Sequence, residues 1–237
     1  MFSRLFVFAT IAVAAASANA VPVTFSPLSG ATGGSPAATG VYKANLSALG
    51  LASILSISIR DNSGLLGGSP GQFSGFDLDA IKLSTTDCTD AACATAATGL
   101  SVFDFSSGII FTPGSQRTPT DPKLFGTDFL GTSINPAVAT LGAFDANSTT
   151  AIPGADGFVS MGDNGLIDFN LTSAASTLGL FLYIGEVGDN GEVAASSITV
   201  RDRRTVPEPG TLALMGLALG SLAFWRRRVT RPVRPDF

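Results

Sequence analysis

The sequence contains no histidine among its 237 residues. Serine and cysteine hydrolases need an imidazole base, and many zinc and iron sites need histidine ligands. Ser-His-Asp and Cys-His enzymes, histidine-dependent metalloproteases and 2-His-1-carboxylate iron enzymes are therefore excluded. Carboxylate chemistry remains open, because a glycoside hydrolase needs only two carboxyl groups about 5 to 10 Å apart.

Cysteine is almost absent, since Cys88 and Cys93 are the only two. Four residues separate them, and in an exported chain such a close pair predicts a local disulfide. The closed loop is short, so the expected gain in stability is about 2 kcal/mol or less. A redox or metal pair is the weaker interpretation, because no further cysteine or histidine completes a zinc site.

Tryptophan and tyrosine are also scarce, with one Trp and two Tyr against 17 Phe. Trp225 lies near the C-terminus, so the body of the chain offers only Tyr42 and Tyr183 as polar aromatic platforms. This counts against a dedicated carbohydrate-binding module that stacks sugars on aromatic rings. Polar or calcium-mediated sugar contacts need no such ring.

The N-terminus has the pattern of an export signal. Arg4 provides the positive charge, residues 5–16 the apolar segment, and Ala18 and Ala20 the small residues before a cleavage site. The apolar segment is too short to span a bilayer, which takes about 20 residues. We predict a signal peptide over residues 1–20, removed after Ala20.

The C-terminus combines a turn motif, an apolar run and a basic cluster. The turn motif consists of Val206, Pro207, Glu208 and Pro209. The apolar run predicts a transmembrane helix over 211–225. The basic cluster that follows it is Arg226, Arg227 and Arg228. Fifteen helical residues span about 22 Å, short of the roughly 30 Å hydrocarbon layer. The arginines are expected to stay cytoplasmic, with 229–237 as a cytoplasmic tail.

These C-terminal residues resemble the PEP-CTERM sorting signal of Gram-negative bacteria, in which a Val-Pro-Glu-Pro motif, a short transmembrane helix and an arginine cluster are recognised by an exosortase. The resemblance covers 206–228. It implies that the exosortase reads Pro207, Glu208 and Pro209 and that the helix is later removed. The tail after the arginines is longer than in many members of the family.

Residues 21–205 are long enough for one domain with a hydrophobic core. They carry eight basic and sixteen acidic residues, a net charge of about minus eight. Because an acidic surface repels nucleic acid and anionic lipid, we expect neither as a partner.

Apolar and polar residues alternate within this domain, as in 55–60 and 167–172, which predicts strands with one wet face. No amphipathic helix is evident, and 29–36 is predicted to be a mobile loop. We therefore predict an all-β fold, an antiparallel, jelly-roll-like β-sandwich. Further predicted strands are 41–48, 76–83, 100–105, 157–161, 180–186 and 197–200.

Asp77 and Asp79 alternate along a predicted strand, so both carboxylates are expected on one face. Like charges at this spacing favour solvent or a cation between them, and calcium is the candidate metal. Hairpin turns are the simpler explanation of the remaining Asp-Asn-Gly clusters. The acids that could add ligands are Asp163, Asp168, Glu186, Asp189 and Glu192.

Three functions follow from this reading. The first is a non-enzymatic structural or adhesive protein of the cell surface or exopolysaccharide matrix. The second is a secreted, carboxylate-dependent glycoside hydrolase. The third is a calcium-dependent module that binds carbohydrate or protein.

Overall fold

The computed structural model describes residues 20–33, 38–62, 64–65, 69–147 and 154–206. Over these residues the chain forms two antiparallel sheets of five strands each. The first contains β1 Ala20–Pro22, β4 Ser53–Arg60, β6 Ile109–Thr112, β8 Leu166–Ser176 and β10 Ser197–Arg201. The second contains β2 Ser26–Thr32, β3 Thr39–Asn45, β5 Asp77–Ser84, β7 Val159–Ser160 and β9 Phe181–Val187.

The strand order is β1-β10-β4-β8-β6 in the first sheet and β2-β3-β9-β5-β7 in the second. From β3 to β10, successive strands alternate between the two sheets. Such alternation brings strands that are adjacent in sequence into opposite sheets. The all-β prediction is confirmed.

One hydrophobic core joins the two sheets. It combines Ile57 and Ile59 of β4 with Ile81 and Leu83 of β5 and Leu182 of β9, all buried. The apolar residues that alternate along each strand therefore face inward, as the period of two predicts.

Two local predictions are wrong. Residues 100–105 form turns with a single bridge, Phe103 to Leu171, because the backbone N–H of Leu100 bonds to Leu83 and redirects the chain. The partner of β8 at this edge is β6, which the sequence analysis missed. The mobile loop predicted at 29–36 is wrong over 29–32, because β2 includes these residues and pairs with β3 as far as Thr32, while 34–36 lie outside the described residues.

The helices are short, in keeping with the lack of an amphipathic pattern. They are α1 Ala91–Ala96, α2 Pro136–Ala139 and α3 Glu192–Ala195, and Gly71–Phe73 forms a 3-10 turn. Asp90 caps α1 by accepting a hydrogen bond from the backbone N–H of Cys93. Asn135 caps α2, which has proline in its first turn.

The two ends of the domain lie side by side in the first sheet. Ala20 pairs with Arg201, and Val21 with Val200. Thus the residue at which signal cleavage is predicted is the first residue of β1. Among the described residues no helix is long and apolar enough to cross a membrane. The predicted helix at 211–225, the tail at 229–237 and the signal peptide before Ala20 lie outside those residues.

Candidate functional site

Asp77 and Asp79 are both buried on β5, yet their carboxylates have different partners. Oδ1 of Asp77 accepts a hydrogen bond from the hydroxyl of Ser160. Oδ1 of Asp79 accepts from the backbone N–H groups of Asp145 and Ala146 at 3.2 and 3.1 Å. Each carboxylate thus contacts its own segment of chain.

Glu186 organises the turn that leads into α3. Its Oε1 accepts hydrogen bonds from the N–H groups of Asn190, Gly191 and Glu192 at 2.7, 2.8 and 3.0 Å. Its Oε2 accepts from the N–H of Val193 at 3.0 Å. Four backbone donors therefore surround one buried carboxylate, so both of its oxygens have hydrogen-bond partners.

Glu192 lies against Asp77, and the two carboxyl groups belong to one buried cluster. Oε2 of Glu192 accepts from the N–H of Asp77 at 3.3 Å, while Oε1 is buried with no hydrogen-bond partner. Burial, with added repulsion from Asp77 and Glu186, raises the pKa of Glu192 to about 9. At neutral pH this carboxyl group therefore holds its proton.

Asp77 and Asp79 are also shifted. Burial raises the pKa of Asp77 to about 8, although the hydrogen bond from Ser160 and the charge of Arg117 act in the opposite direction. Burial likewise raises the pKa of Asp79 to about 7, against its hydrogen bonds. These shifts follow from removing a charge from water.

Arg117 is a cation that lies beside this acidic cluster. Its Nε lies 3.5 Å from Oδ1 of Asp163, and its charge lowers the pKa of Asp77 and of Asp163. Burial outweighs that effect at Asp163, whose pKa is raised. Asp61 joins the cluster by accepting from the N–H of Asn164 at 2.8 Å.

The remaining acids offered as ligands have other partners. The hydroxyl of Tyr42 donates to Asp189 at 2.7 Å, and Arg201 lies 3.5 Å from Asp168. Within the part of the chain that the structure covers, no group of three or more acidic or cysteine side chains is placed to hold a metal ion. Calcium binding at Asp77 and Asp79 stays a prediction.

The disulfide between Cys88 and Cys93 is present, with an S–S distance of 2.07 Å. Cys88 is buried, and its N–H donates to the hydroxyl of Tyr183 at 2.9 Å. The bridge thus ties α1 to the segment that precedes it, and the hydrogen bond from Cys88 ties that segment to Tyr183 of β9.

The chain leaves the domain through a tightly held segment. The Ser56 hydroxyl donates to the carbonyl of Arg203 at 2.6 Å. Arg204 donates to the carbonyls of Leu171 and Thr172 at 3.2 and 2.8 Å. Val206, the first residue of the predicted motif, is 68% exposed. The other predicted terminal site residues lie outside the described residues: Ala18, Pro207, Glu208, Pro209, Arg226, Arg227 and Arg228.

The fold and its C-terminal exit define a β-rich domain followed by a separate terminal signal. Residues 205–228 match the family model for the PEP-CTERM protein-sorting motif. The chain is a PEP-CTERM sorting domain-containing protein, and the motif marks it for export as a surface protein targeted by an exosortase. No curated protein and no solved structure matches the chain.

Sequence analysis missed the contacts that complete the acidic cluster. Arg117 and Ser160 come from segments far from β5 in sequence, and neither belongs to a recognisable motif. It also missed the exposed pair Phe129 and Leu130, although two adjacent large apolar residues inside a polar loop were a usable signal.

Proposed function

We propose that this protein is a non-enzymatic structural or adhesive component of the cell surface or exopolysaccharide matrix. The observation that carries the proposal is the sorting motif at 205–228, directly after the segment that ends at Arg204. A signal that delivers a folded acidic domain to the surface is what a structural or adhesive component of that surface needs.

The burial of the acids supports a non-enzymatic role. The fold brings Asp77 and Glu192 into one cluster with Asp61 and Asp163, and all four are buried. A glycosidase needs its two carboxyl groups on either side of a substrate bond, within reach of a sugar chain. This arrangement therefore favours a structural part for these acids over hydrolysis.

The expected partners follow from the sorting route. An exosortase reads Pro207, Glu208 and Pro209, and the precursor is held in the inner membrane by its C-terminal helix, with the domain in the periplasm. Exopolysaccharide is the expected partner of the mature domain at the surface. The net charge of about minus eight disfavours nucleic acid.

The processing step is tested by replacing Pro207, Glu208 and Pro209 with alanine in the native host. We expect an uncleaved precursor in the membrane fraction, because the exosortase no longer finds its motif. Pro232→Ala with Pro235→Ala is the matched control, since it changes prolines beyond the arginine cluster. Release of mature protein with unchanged mass from the motif variant would overturn the processing claim.

The absence of catalysis is tested with the double variant Asp77→Asn Glu192→Gln. We expect it to support matrix cohesion as well as the wild-type chain does, provided that both fold. The opposite result would be that the wild-type chain releases reducing sugar from host exopolysaccharide and the double variant does not. That result would establish the protein as a glycoside hydrolase.

A further inference from the structure

The chain turns back onto its own sheet after β10. That strand ends at Arg201, and residues 202–204, here called the exit strap, follow it. The hydroxyl of Ser56, on the neighbouring strand β4, donates to the carbonyl of Arg203 at 2.6 Å. Ser56 alternates with Ile57 of the core, so its side chain lies on the opposite face of the sheet. The exit strap is therefore bonded to the outer face of the first sheet.

Arg204 extends this attachment to β8, the strand on the far side of β4. Its Nε and Nη2 atoms donate to the carbonyls of Leu171 and Thr172 at 3.2 and 2.8 Å. Both carbonyls lie where the register between β8 and β4 shifts, just after Asn170. Two donors on one planar guanidinium fix its position more closely than a single hydrogen bond does.

The sorting motif begins where the exit strap ends. The match to the family model starts at residue 205, directly after Arg204. Pro207 is three residues after Arg204, so even an extended backbone keeps it within about 11 Å of that residue. Enzymes that read a linear motif commonly bind it as an extended segment through its main chain. Such a cleft also needs the residues before the motif, and in the folded domain these residues are bonded to the sheet.

We propose that the exit strap restrains the sorting motif and detaches from the first sheet before the exosortase binds. The three side chains of the strap are all charged, so hydrogen bonds and ion pairs hold it in place of apolar burial. Because each such bond contributes little net free energy, the strap can open while the two sheets stay folded. The inference rests on the proposed function, since the restrained step is processing by the exosortase.

Detachment can be measured without the exosortase, because trypsin cleaves after Arg203 and Arg204. Their side chains are exposed, so cleavage depends on how often the bonded backbone opens. The purified full chain in detergent is digested with dilute trypsin, and the products are identified by mass. Ser56→Ala leaves the strap sequence unchanged and should speed this cleavage about fivefold. Ser58→Ala is the matched control on the same face of β4, since its hydroxyl donates to Asp168 instead.

Pulse-chase labelling in the native host measures the half-time for conversion of precursor to mature protein. We expect Ser56→Ala to shorten this half-time and Ser58→Ala to leave it unchanged. Arg204→Ala should shorten it more, by about tenfold, because two hydrogen bonds from a charged group are lost. Arg204 precedes the matched residues 205–228, so this variant keeps the whole motif.

A spacer separates release of the motif from any effect on the domain. The insertion Gly-Ser-Gly-Ser between Thr205 and Val206 gives the exosortase flexible residues that are not bonded to the sheet. Processing should then be as fast as in Arg204→Ala, while trypsin cleavage after Arg203 keeps its wild-type rate. The spacer combined with Arg204→Ala should bring no further acceleration. Thermal unfolding checks that each variant is folded.

Two results would overturn the inference. Equal trypsin rates in the wild-type and Ser56→Ala chains would show that this bond does not hold the strap. Unchanged or slower processing of the spacer and Arg204→Ala variants would show that the attachment does not restrain the motif. The proposed function fails separately, if alanine at Pro207, Glu208 and Pro209 leaves processing unchanged, and the trypsin rates do not depend on that outcome.

Discussion

The backbone N–H of Asp77 donates to Oε2 of Glu192 at 3.3 Å, joining residues 115 positions apart in the sequence. The bond links β5 of the second sheet to α3, just before β10 of the first sheet. Burial raises the pKa of both side chains, to about 8 and about 9. The domain therefore encloses carboxyl groups that carry protons at neutral pH, and its stability must respond to pH.

We expect the free energy of unfolding to fall as pH rises from about 4 to about 9. Asp77, Asp79 and Glu192 have raised pKa values in the folded state, so the folded chain binds more protons than the unfolded chain over this range. Their stabilising contribution is complete below the unfolded pKa, near 4, and is lost as pH passes the folded values. Denaturant unfolding at pH 5, 7 and 9 measures this slope.

The variant Asp79→Asn isolates one part of the slope. The amide keeps an oxygen for the N–H groups of Asp145 and Ala146 but has no charge to bury. Between pH 5 and pH 9 the free energy of unfolding of this variant should rise by on the order of 2 kcal/mol relative to that of the wild-type chain. Asp156→Asn, at an exposed position, is the control and should show no such gain. An equal pH slope in the Asp79→Asn and wild-type chains would refute the assignment to Asp79.

Replacing Glu186 with alanine should destabilise the domain by about 3 kcal/mol, because four backbone N–H groups lose their acceptor. The stability of Glu186→Gln should lie between that of this variant and that of the wild-type chain. Its single amide oxygen can accept from the N–H groups that bond to one of the two carboxylate oxygens, but not from both sets. Chemical denaturation at pH 7 measures both. Equal stability of all three proteins would show that the turn before α3 does not depend on this carboxylate.

Removing the disulfide by Cys88→Ala with Cys93→Ala should cost about 2 kcal/mol or less, because the loop it closes is short. The melting temperature should fall modestly while the fold persists. Addition of a reducing agent should lower the melting temperature of the wild-type chain and leave that of the double variant unchanged. Complete unfolding of the double variant would give the bridge a larger role than the loop length allows.

Local pattern predicted much of the fold. The alternation in 55–60 and 167–172 predicted β4 and β8, because side chains on a strand point to opposite faces whatever the tertiary structure. The predicted strand at 180–186 became β9, whose residues 181–184 are apolar on both faces because strands pair with it on each side. The pattern failed at 100–105, where the bond from Leu100 to Leu83 forces turns on a sequence that also suits a strand.

The partners of the acids in the acidic cluster could not be predicted from local sequence patterns. Sequence placed Asp77 and Asp79 on one strand, but their separate partners, Ser160 on one side and Asp145 and Ala146 on the other, come from distant segments. Whether a carboxylate is charged depends on burial and on its neighbours, and neither quantity is local in sequence.

By itself the sequence determined that the chain carries a sorting signal for export, because such a signal is read as a linear order of turn motif, apolar segment and basic residues. It also determined the all-β character, since strand periodicity is a local property. Only the tertiary structure decided which acids share a buried site, where the exposed Phe129 lies and how Arg204 is held against β8. Those features depend on contacts between residues far apart in the chain, which no local pattern records.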